Sequence, residues 1–405
     1  MSELASSRTG RAAPANAADE RRRGGLVSGA LVDRVRARLV LEPGVPTRAA
    51  IAALVREESG GLLGDDDVLR AVRDAVDELA GAGPLEPLLR GPGVSDVLVN
   101  GPDQVWVDRG GGLERTLVRF PDEDAVRRLA VRLAAAAGRR LDDAAPWVDA
   151  GLPDGTRLHA VLPPVSGSGT CLSLRVLRRA SLSFTDLAVR GALPGASGEL
   201  LQALVAARLA FLVTGGTGSG KTTLLSALLG LVPSGERLVL CEDAPELVPA
   251  HPHVVRLATR PPNVEGVGEV RLRDLVRQAL RMRPDRLVVG EVRGSEVTDL
   301  LAALNTGHDG GCGTLHANRP AEVPARLEAL GVAAGLDRLA VHSQAAAALS
   351  AVVHLRRTPS GRRVEEVGVV RRAGDLVVVE AGWRVDGGPC PAERQLAELL
   401  SAGHG

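Results

Sequence analysis

The sequence predicts an α/β fold in which a larger domain with a mostly parallel sheet follows a smaller α+β domain and a helical N-terminal region. Three observations predict it. From Leu209 onward, short apolar runs ("AFLVTG", "RLVLCED", "HVVRLA", "RLVVGEV", "GCGTLHA") alternate with helical stretches, the pattern of a parallel sheet covered on both faces. Between Val94 and residue 180 the runs are shorter, alternate in polarity and are broken by turn residues, as in "VSDVLVNGPDQVWVDRGGGLERTLVRF". Before that, apolar residues recur at helical spacing: Leu31, Val32, Val35 and Leu39, then Val68, Leu69, Val72, Val76 and Leu79.

Taken in order, residues 1–25 are small, polar and charged and are expected to be disordered. Residues 26–90 form the helical region. Residues 91–182 form the α+β domain, with strands around an Asn-Gly-Pro-Asp turn, a helix near Glu123 to Ala137, and further strands in "VDAGLPDGTRLHAVLPP" and "TCLSLRVLR". Residues 183–195 read as a linker and 196–390 as the larger domain, which ends in an antiparallel meander beyond Val352. A last helix and tail occupy 391–405.

Composition narrows the partners. Lysine plus arginine total 49, as do aspartate plus glutamate, so the formal net charge is zero and no global field attracts a polyanion. Three Trp, three Phe and no Tyr leave little aromatic surface on which bases could stack. Nucleic acid is therefore not the expected load. The four cysteines, Cys171, Cys241, Cys312 and Cys390, lie far apart with no zinc-type spacing and read as reduced thiols. No apolar run reaches the length of a membrane span and no secretory signal pattern opens the chain, so a cytoplasmic location with at most peripheral membrane contact is expected.

The chemistry concentrates in a few segments. "GGTGSGKT", Gly215 to Thr222, fits G-x-x-x-x-G-K-[ST] and sits between an apolar strand and a helical run, the context that confirms such a loop. Its glycines let backbone N–H groups turn inward onto phosphate, and the helix that follows presents its positive end. The cofactor-binding residues are Gly215, Gly216, Thr217, Gly218, Ser219, Gly220, Lys221, Thr222 and Thr223. Lys221 is expected to reach the β- and γ-phosphates and the Thr222 hydroxyl to hold Mg²⁺. Lys221 is also the only lysine in the chain; the other 48 of the 49 basic residues are arginine. GC-rich codon usage accounts for the arginines, and its one exception falls where a narrow point charge is needed.

Hydrolysis requires a carboxylate near the attacking water. "RPDRLVVGEVRG" ends a strand in Gly290 and Glu291, with Gly290 where an aspartate commonly stands, and Glu291 is the candidate to orient or deprotonate water while touching the metal's water shell. "LVLCEDAPEL" ends another strand with Glu242, Asp243 and Glu246, a cluster that needs either a cation or hydrogen-bond donors. The metal candidates are thus Thr222, Glu242 and Glu291. "TGHDGGCGTLHANRP" brings His308 and His316 near a third strand end, without the mutual spacing of a transition-metal site.

With these segments in order, the chain resembles the type II/IV secretion system ATPases, and in particular those of tight-adherence (Flp) pilus assembly and the related conjugal-transfer group. The likeness runs over roughly residues 80 to 370, through "GAGPLEPLL", "GRRLDDAAPWVDAGLPDGTR", "GGTGSGKTT", "CEDAPEL", "HVVRLATRPPN" and "NTGHDGGCGTLHAN". The resemblance implies a RecA-like P-loop NTPase motor domain, a PAS-like smaller domain, ATP and Mg²⁺ as cofactors, and catalytic roles for Lys221, Glu242, Glu291 and His316. It implies further that the smaller domain lends Arg157 and Arg175 to the nucleotide, whereas Gly151 stands where relatives commonly carry another arginine. Cys312 and Gly313 stand where hydroxyl residues are common. A homo-hexamer that hydrolyses ATP to power pilus assembly or secretion follows, pressing on an inner-membrane platform protein at the inner face of the cytoplasmic membrane, with a hinge around residues 181–195. The alternatives are a conjugation-type DNA-translocating ATPase and a nucleotide-binding scaffold with little hydrolysis.

Overall fold

A computed structural model of the chain describes residues 31, 34, 35, 37, 38, 48–60, 64–176, 182–263, 265–307, 309–359 and 361–402. The tail 1–25, Val32, Leu39 and His308 lie outside the described residues. The chain divides into two compact units, with the division between Leu177 and Arg178.

In the first unit, helices α1 (Arg48–Ser59) and α2 (Asp65–Leu79) bury an apolar stripe of Ile51, Leu54, Val55, Ala71, Ala75 and Leu79, joined by Leu31 and Val35. A short helix α3 (Glu86–Leu89) leads into six strands: β1 (Asp96–Val99), β2 (Val105–Asp108), β3 (Leu113–Arg115), β4 (Trp147–Gly151), β5 (Arg157–Val161) and β6 (Cys171–Arg175). They form one antiparallel sheet in the order β3-β2-β1-β6-β5-β4. Alternation at period two puts Val97, Val99, Leu158, Ala160, Leu172 and Leu174 on the buried face. Helix α4 (Glu123–Ala136), N-capped by Asp122 through a 2.7 Å bond from the Ala125 N–H, contributes Val126, Leu129, Ala130 and Leu133 to the same core.

The second unit begins with a difference from the sequence reading. Residues 183–195 are not a linker. Helix α5 (Phe184–Val189) starts in a capping box between Ser183 and Asp186, and Leu187, Ala192 and Leu193 are buried in the core of this unit. The expected hinge at 181–195 therefore falls, from residue 182 onward, on packed structure. Helix α6 (Ser197–Ala206) follows, then strand β7 (Phe211–Thr214) and helix α7 (Lys221–Leu229). The remaining strands are β8 (Leu238–Glu242), β9 (Val254–Ala258), β10 (Arg286–Val292), β11 (Cys312–Leu315), β12 (Ala351–Thr358), β13 (Gly361–Ala373) and β14 (Leu376–Arg384).

They make one sheet in the order β14-β13-β12-β7-β11-β10-β8-β9, parallel from β12 to β9 and antiparallel through β13 and β14. The parallel strands are buried on both sides, which is why they read as unbroken apolar runs. Phe211, Val213, Leu240 and Val288 face α6, α7 and the last helix, α12 (Glu393–Ala402), whose Leu396 and Leu400 join that core. The C-terminal helix is accordingly part of this unit rather than an appendage. Leu212, Val239, Leu287 and Val289 face the other layer, built from α8 (Leu272–Ala279), α9 (Glu296–Leu304), α10 (Val323–Ala333) and α11 (Arg338–Ala348).

Candidate nucleotide-binding site

Every residue of the site in the second unit hangs from the C-terminal end of a parallel strand, where the strands' loops gather. The loop from Gly215 to Gly220 leaves β7 and enters α7. Gly215, Gly218 and Gly220 have φ of +149°, +70° and +95°, conformations that side chains disfavour, and no side chain caps the first turn of α7. A Cβ on Gly215 would fall 2.5 Å from the Leu355 carbonyl oxygen, so β12 closes one side of the loop. The Ser219 hydroxyl is buried with no hydrogen-bond partner of its own. Uncapped helix N–H groups, an inward-turned glycine backbone and an orphaned hydroxyl are what a polyphosphate requires, so the loop fits the nucleotide expected there.

Lys221 is 8% exposed. Its ammonium donates to the carbonyls of Gly215 at 3.1 Å and Gly216 at 3.0 Å and, more weakly, to Nδ1 of His316 at 3.5 Å. Burial lowers its pKa, opposed by the charges of Glu291 and Glu246. On the far side of the ring, Nε2 of His316 lies 2.9 Å from Oε1 of Glu291. Desolvation and the Lys221 charge push the imidazole pKa down against the pull of Glu291. A neutral ring with its proton on Nε2 satisfies both neighbours: it donates to Glu291 and accepts from Lys221.

Glu291 owes its position to an irregularity in β10. Val289 pairs with Gly313 and Val292 with Leu315, so Gly290 and Glu291 together oppose Thr314 alone. Such a bulge bends the strand and re-aims its side chains. The Thr314 hydroxyl secures it with a 2.6 Å bond to the Gly290 carbonyl. Both glycines here have a steric reason. A Cβ at Gly290 would fall 2.8 Å from Cγ of Glu242, and one at Gly313 would fall 2.8 Å from the Val289 carbonyl oxygen. A side chain in this place, such as the aspartate that commonly stands there, would therefore crowd the neighbouring Glu242.

The acidic cluster finds protein donors. Oε1 of Glu242, a residue 3% exposed, accepts from the N–H groups of Glu246 at 2.9 Å and Leu247 at 2.8 Å. Asp243 pairs with Arg293, which also approaches Glu291 at 3.8 Å. Oε2 of Glu246 lies 3.5 Å from the Thr222 hydroxyl. That hydroxyl and the nearby carboxylates are hard oxygen donors of the kind Mg²⁺ accepts. Sequence reasoning passed over Arg293 although it stands two residues beyond Glu291. Nothing local could have revealed Thr314, or His354, whose Nδ1 lies 3.0 Å from the Thr214 hydroxyl at the root of the loop.

Burial raises the Glu242 carboxyl from 4.5 to about 7, and its two backbone hydrogen bonds only partly offset this. Between those values the folded chain holds a proton that the unfolded chain has released, so this group's contribution to stability declines as pH rises from 4.5 to about 7. Glu242→Gln, which stays neutral and can still accept both N–H bonds, is expected to exceed wild type by about 1–3 kcal/mol at pH 8 and to match it at pH 4. Thermal unfolding of both proteins without nucleotide across that range tests it. A pH-independent gap would show that burial of the charge is not the cause.

In the first unit, Arg157 and Arg175 sit directly opposite each other on β5 and β6, on the solvent face of the sheet. The row continues with Gly151 beyond Arg157 and Asp96 beyond Arg175. Like charges in register repel. Here each is offset: Arg157 makes a two-point pair with Asp149, at 3.1 and 2.8 Å, and Arg175 bonds Asp96 at 3.0 Å.

A strand, a glycine loop enclosing a buried lysine, and a helix, flanked by a strand-end glutamate, define a P-loop NTPase core. The chain belongs to the type II/IV secretion system protein family, whose model matches residues 78–380. It is 59% identical over 346 residues, 84% of this chain and 98% of the relative, to a putative conjugal transfer protein of Mycobacterium tuberculosis. It is 36% identical over 258 residues, 58% of this chain and 75% of the relative, to a type IV secretion system protein PtlH homolog of Bordetella bronchiseptica. Among solved structures, the VirB11 ATPase from the Brucella suis type IV secretion system is 28% identical, with 71% of this chain and 95% of that one covered and a TM-score of 0.38.

Proposed function

We propose that the protein is an ATP-hydrolysing motor that powers protein secretion or pilus assembly, of the tight-adherence type, as a homo-hexamer acting on an inner-membrane platform protein. Family membership supports the class. The observation that carries hydrolysis is the hydrogen-bonded series from Lys221 through His316 to Glu291, which joins the phosphate loop to a carboxylate set on a strand bulge. Bound ATP with Mg²⁺ would supply the phosphoryl group and the charge that polarises it. Gly215 to Thr223 would bind the phosphates, Thr222 and a neighbouring carboxylate would hold the metal, and Glu291 would take the proton of the attacking water. His316, neutral and fixed in one tautomer, would keep Glu291 oriented without itself competing for that proton. Glu242, anchored by the 246–247 backbone, is proposed to shape the metal's surroundings, and Arg157 and Arg175 to add charge toward the phosphates.

Among the described residues no helix is long and apolar enough to cross a membrane. Contact with the inner face of the cytoplasmic membrane is therefore proposed to run through the platform partner. A second reading, a motor that moves DNA in conjugation, is favoured by the description of the Mycobacterium tuberculosis relative as a putative conjugal transfer protein. Zero net charge and six aromatic residues argue the other way. Phosphate release by the purified protein, measured with and without single-stranded DNA, separates the two. Turnover indifferent to DNA is expected; stimulation by it would replace the secretion reading, and absence of turnover in the assembled ring would leave a scaffold.

A further inference from the structure

We propose that Arg357 and Arg362, facing each other across the β12–β13 hairpin, form a second cationic grip over the phosphate loop and hold the α- and β-phosphates of the bound nucleotide. This rests on the nucleotide reading above and adds to the site two residues from the far end of the chain.

The two side chains lie against two of the loop's glycines. A Cβ at Gly218 would fall 3.8 Å from Nη1 of Arg357, and one at Gly220 would fall 3.3 Å from Cδ of Arg362. The hairpin register pairs Arg357 directly with Arg362, and Leu355 with Val364 two residues before. All four therefore share one face of the sheet. Leu355 and Val364 pack in the core layer that includes Leu224 and Leu225 of α7, so the same face, carried past the end of that core, ends in two guanidinium groups over the start of α7.

Both arginines are exposed. Like charges directly opposite on neighbouring strands are destabilising unless something lies between them. Among the described residues Arg362 has no carboxylate partner, whereas Arg356, the residue before Arg357, pairs with Glu365 at 2.8 Å. With Lys221 beneath the loop, three positive charges surround the same glycines. An anion that approached all three would relieve the repulsion, and guanidinium groups suit phosphate oxygens in particular.

Strand order says which part of the nucleotide they hold. β7 stands between β12 and β11, and β10 lies beyond β11. Glu291 and His316 thus flank the loop on one side and the hairpin arginines on the other. The residues placed to act on the transferred phosphate are on the first side, which leaves the phosphates that stay with the nucleoside to the second. Such contacts strengthen binding of diphosphate and triphosphate alike.

The test compares wild type, Arg357→Gln, Arg362→Gln and Lys221→Ala by equilibrium titration with Mg-ADP and with a β,γ-imido ATP analogue, alongside the unfolding midpoint without nucleotide. Each arginine variant is expected to lose about tenfold in affinity for both nucleotides, with a midpoint unchanged or raised because a like-charge contact is gone. Unchanged ADP affinity, or a loss confined to the ATP analogue, would overturn the proposal. So would lower midpoints in both variants, which would assign the pair to holding the hairpin. Failure of wild type itself to bind either nucleotide would instead overturn the nucleotide reading, whereas binding lost only in Lys221→Ala keeps that reading and rejects the second grip.

Discussion

Glu291→Gln is expected to keep nucleotide affinity within about threefold of wild type and to cut turnover by about 10²–10⁴-fold, the range attributed to a positioned general base. The substitution is close to isosteric. Its amide oxygen can still accept from Nε2 of His316, the 2.9 Å partner of the native carboxylate, so the hydrogen-bonded series back to Lys221 survives. The bulge survives as well, because it is secured by Thr314 on the backbone of Gly290 and not by the Glu291 side chain. The change removes a negative charge and the capacity to take a proton. A binding titration beside a phosphate-release assay reads the two effects separately. Loss of binding and turnover together would mean that Glu291 holds the metal more than it activates water. Turnover near wild type would move the general base elsewhere, and Asp243 is already tied up by Arg293.

What the sequence could and could not reveal follows the range of the interactions. The phosphate loop is legible because strand, glycines, lysine and helix are contiguous, and each residue type is required by its own backbone position. Glu291 is legible as the polar end of an apolar strand, but the bulge that aims it depends on pairing with β11, which no local pattern encodes. Gly290 looks like a missing ligand until β8 is placed beside β10 and Glu242 is seen to need the space. The acidic cluster was open between a cation and donors; half of the Glu242 carboxylate goes to backbone donors that form only when 242–247 folds back on itself. Residues 183–195 were misread for a different reason. Gly191 and the Pro194-Gly195 pair suggest a linker, yet "SFTD" carries the capping box that starts α5, and Leu187, with Phe184 packed beside it, ties the helix to the core. The hairpin arginines are the extreme case: they reach the loop only because β12 is the neighbour of β7.

Lys221→Arg is expected to lower nucleotide affinity about tenfold to a hundredfold and to abolish measurable turnover, although it preserves charge. The ammonium fits between the Gly215 and Gly216 carbonyls at 3.1 and 3.0 Å with one further approach to His316, which uses all three of its protons. A guanidinium is broader, planar and fixed in the direction of its donors, so it cannot converge on two carbonyls of one tight loop. Enlarging a side chain in a well-packed setting adds about 1–3 kcal/mol of strain, here in a loop whose Gly215 backbone already abuts Leu355. The chain supplies its own control in the reverse exchange. Arg394, 92% exposed and paired with Glu398 one helical turn away, should become lysine with a change within about 0.5 kcal/mol. Nucleotide titration and thermal unfolding of Lys221→Arg and Arg394→Lys together decide the point. If both substitutions are silent, codon usage explains the one lysine as well as it explains the 48 arginines. If only the first is damaging, the lone lysine marks the position where the shape of the cation, and not its charge alone, is under chemical constraint.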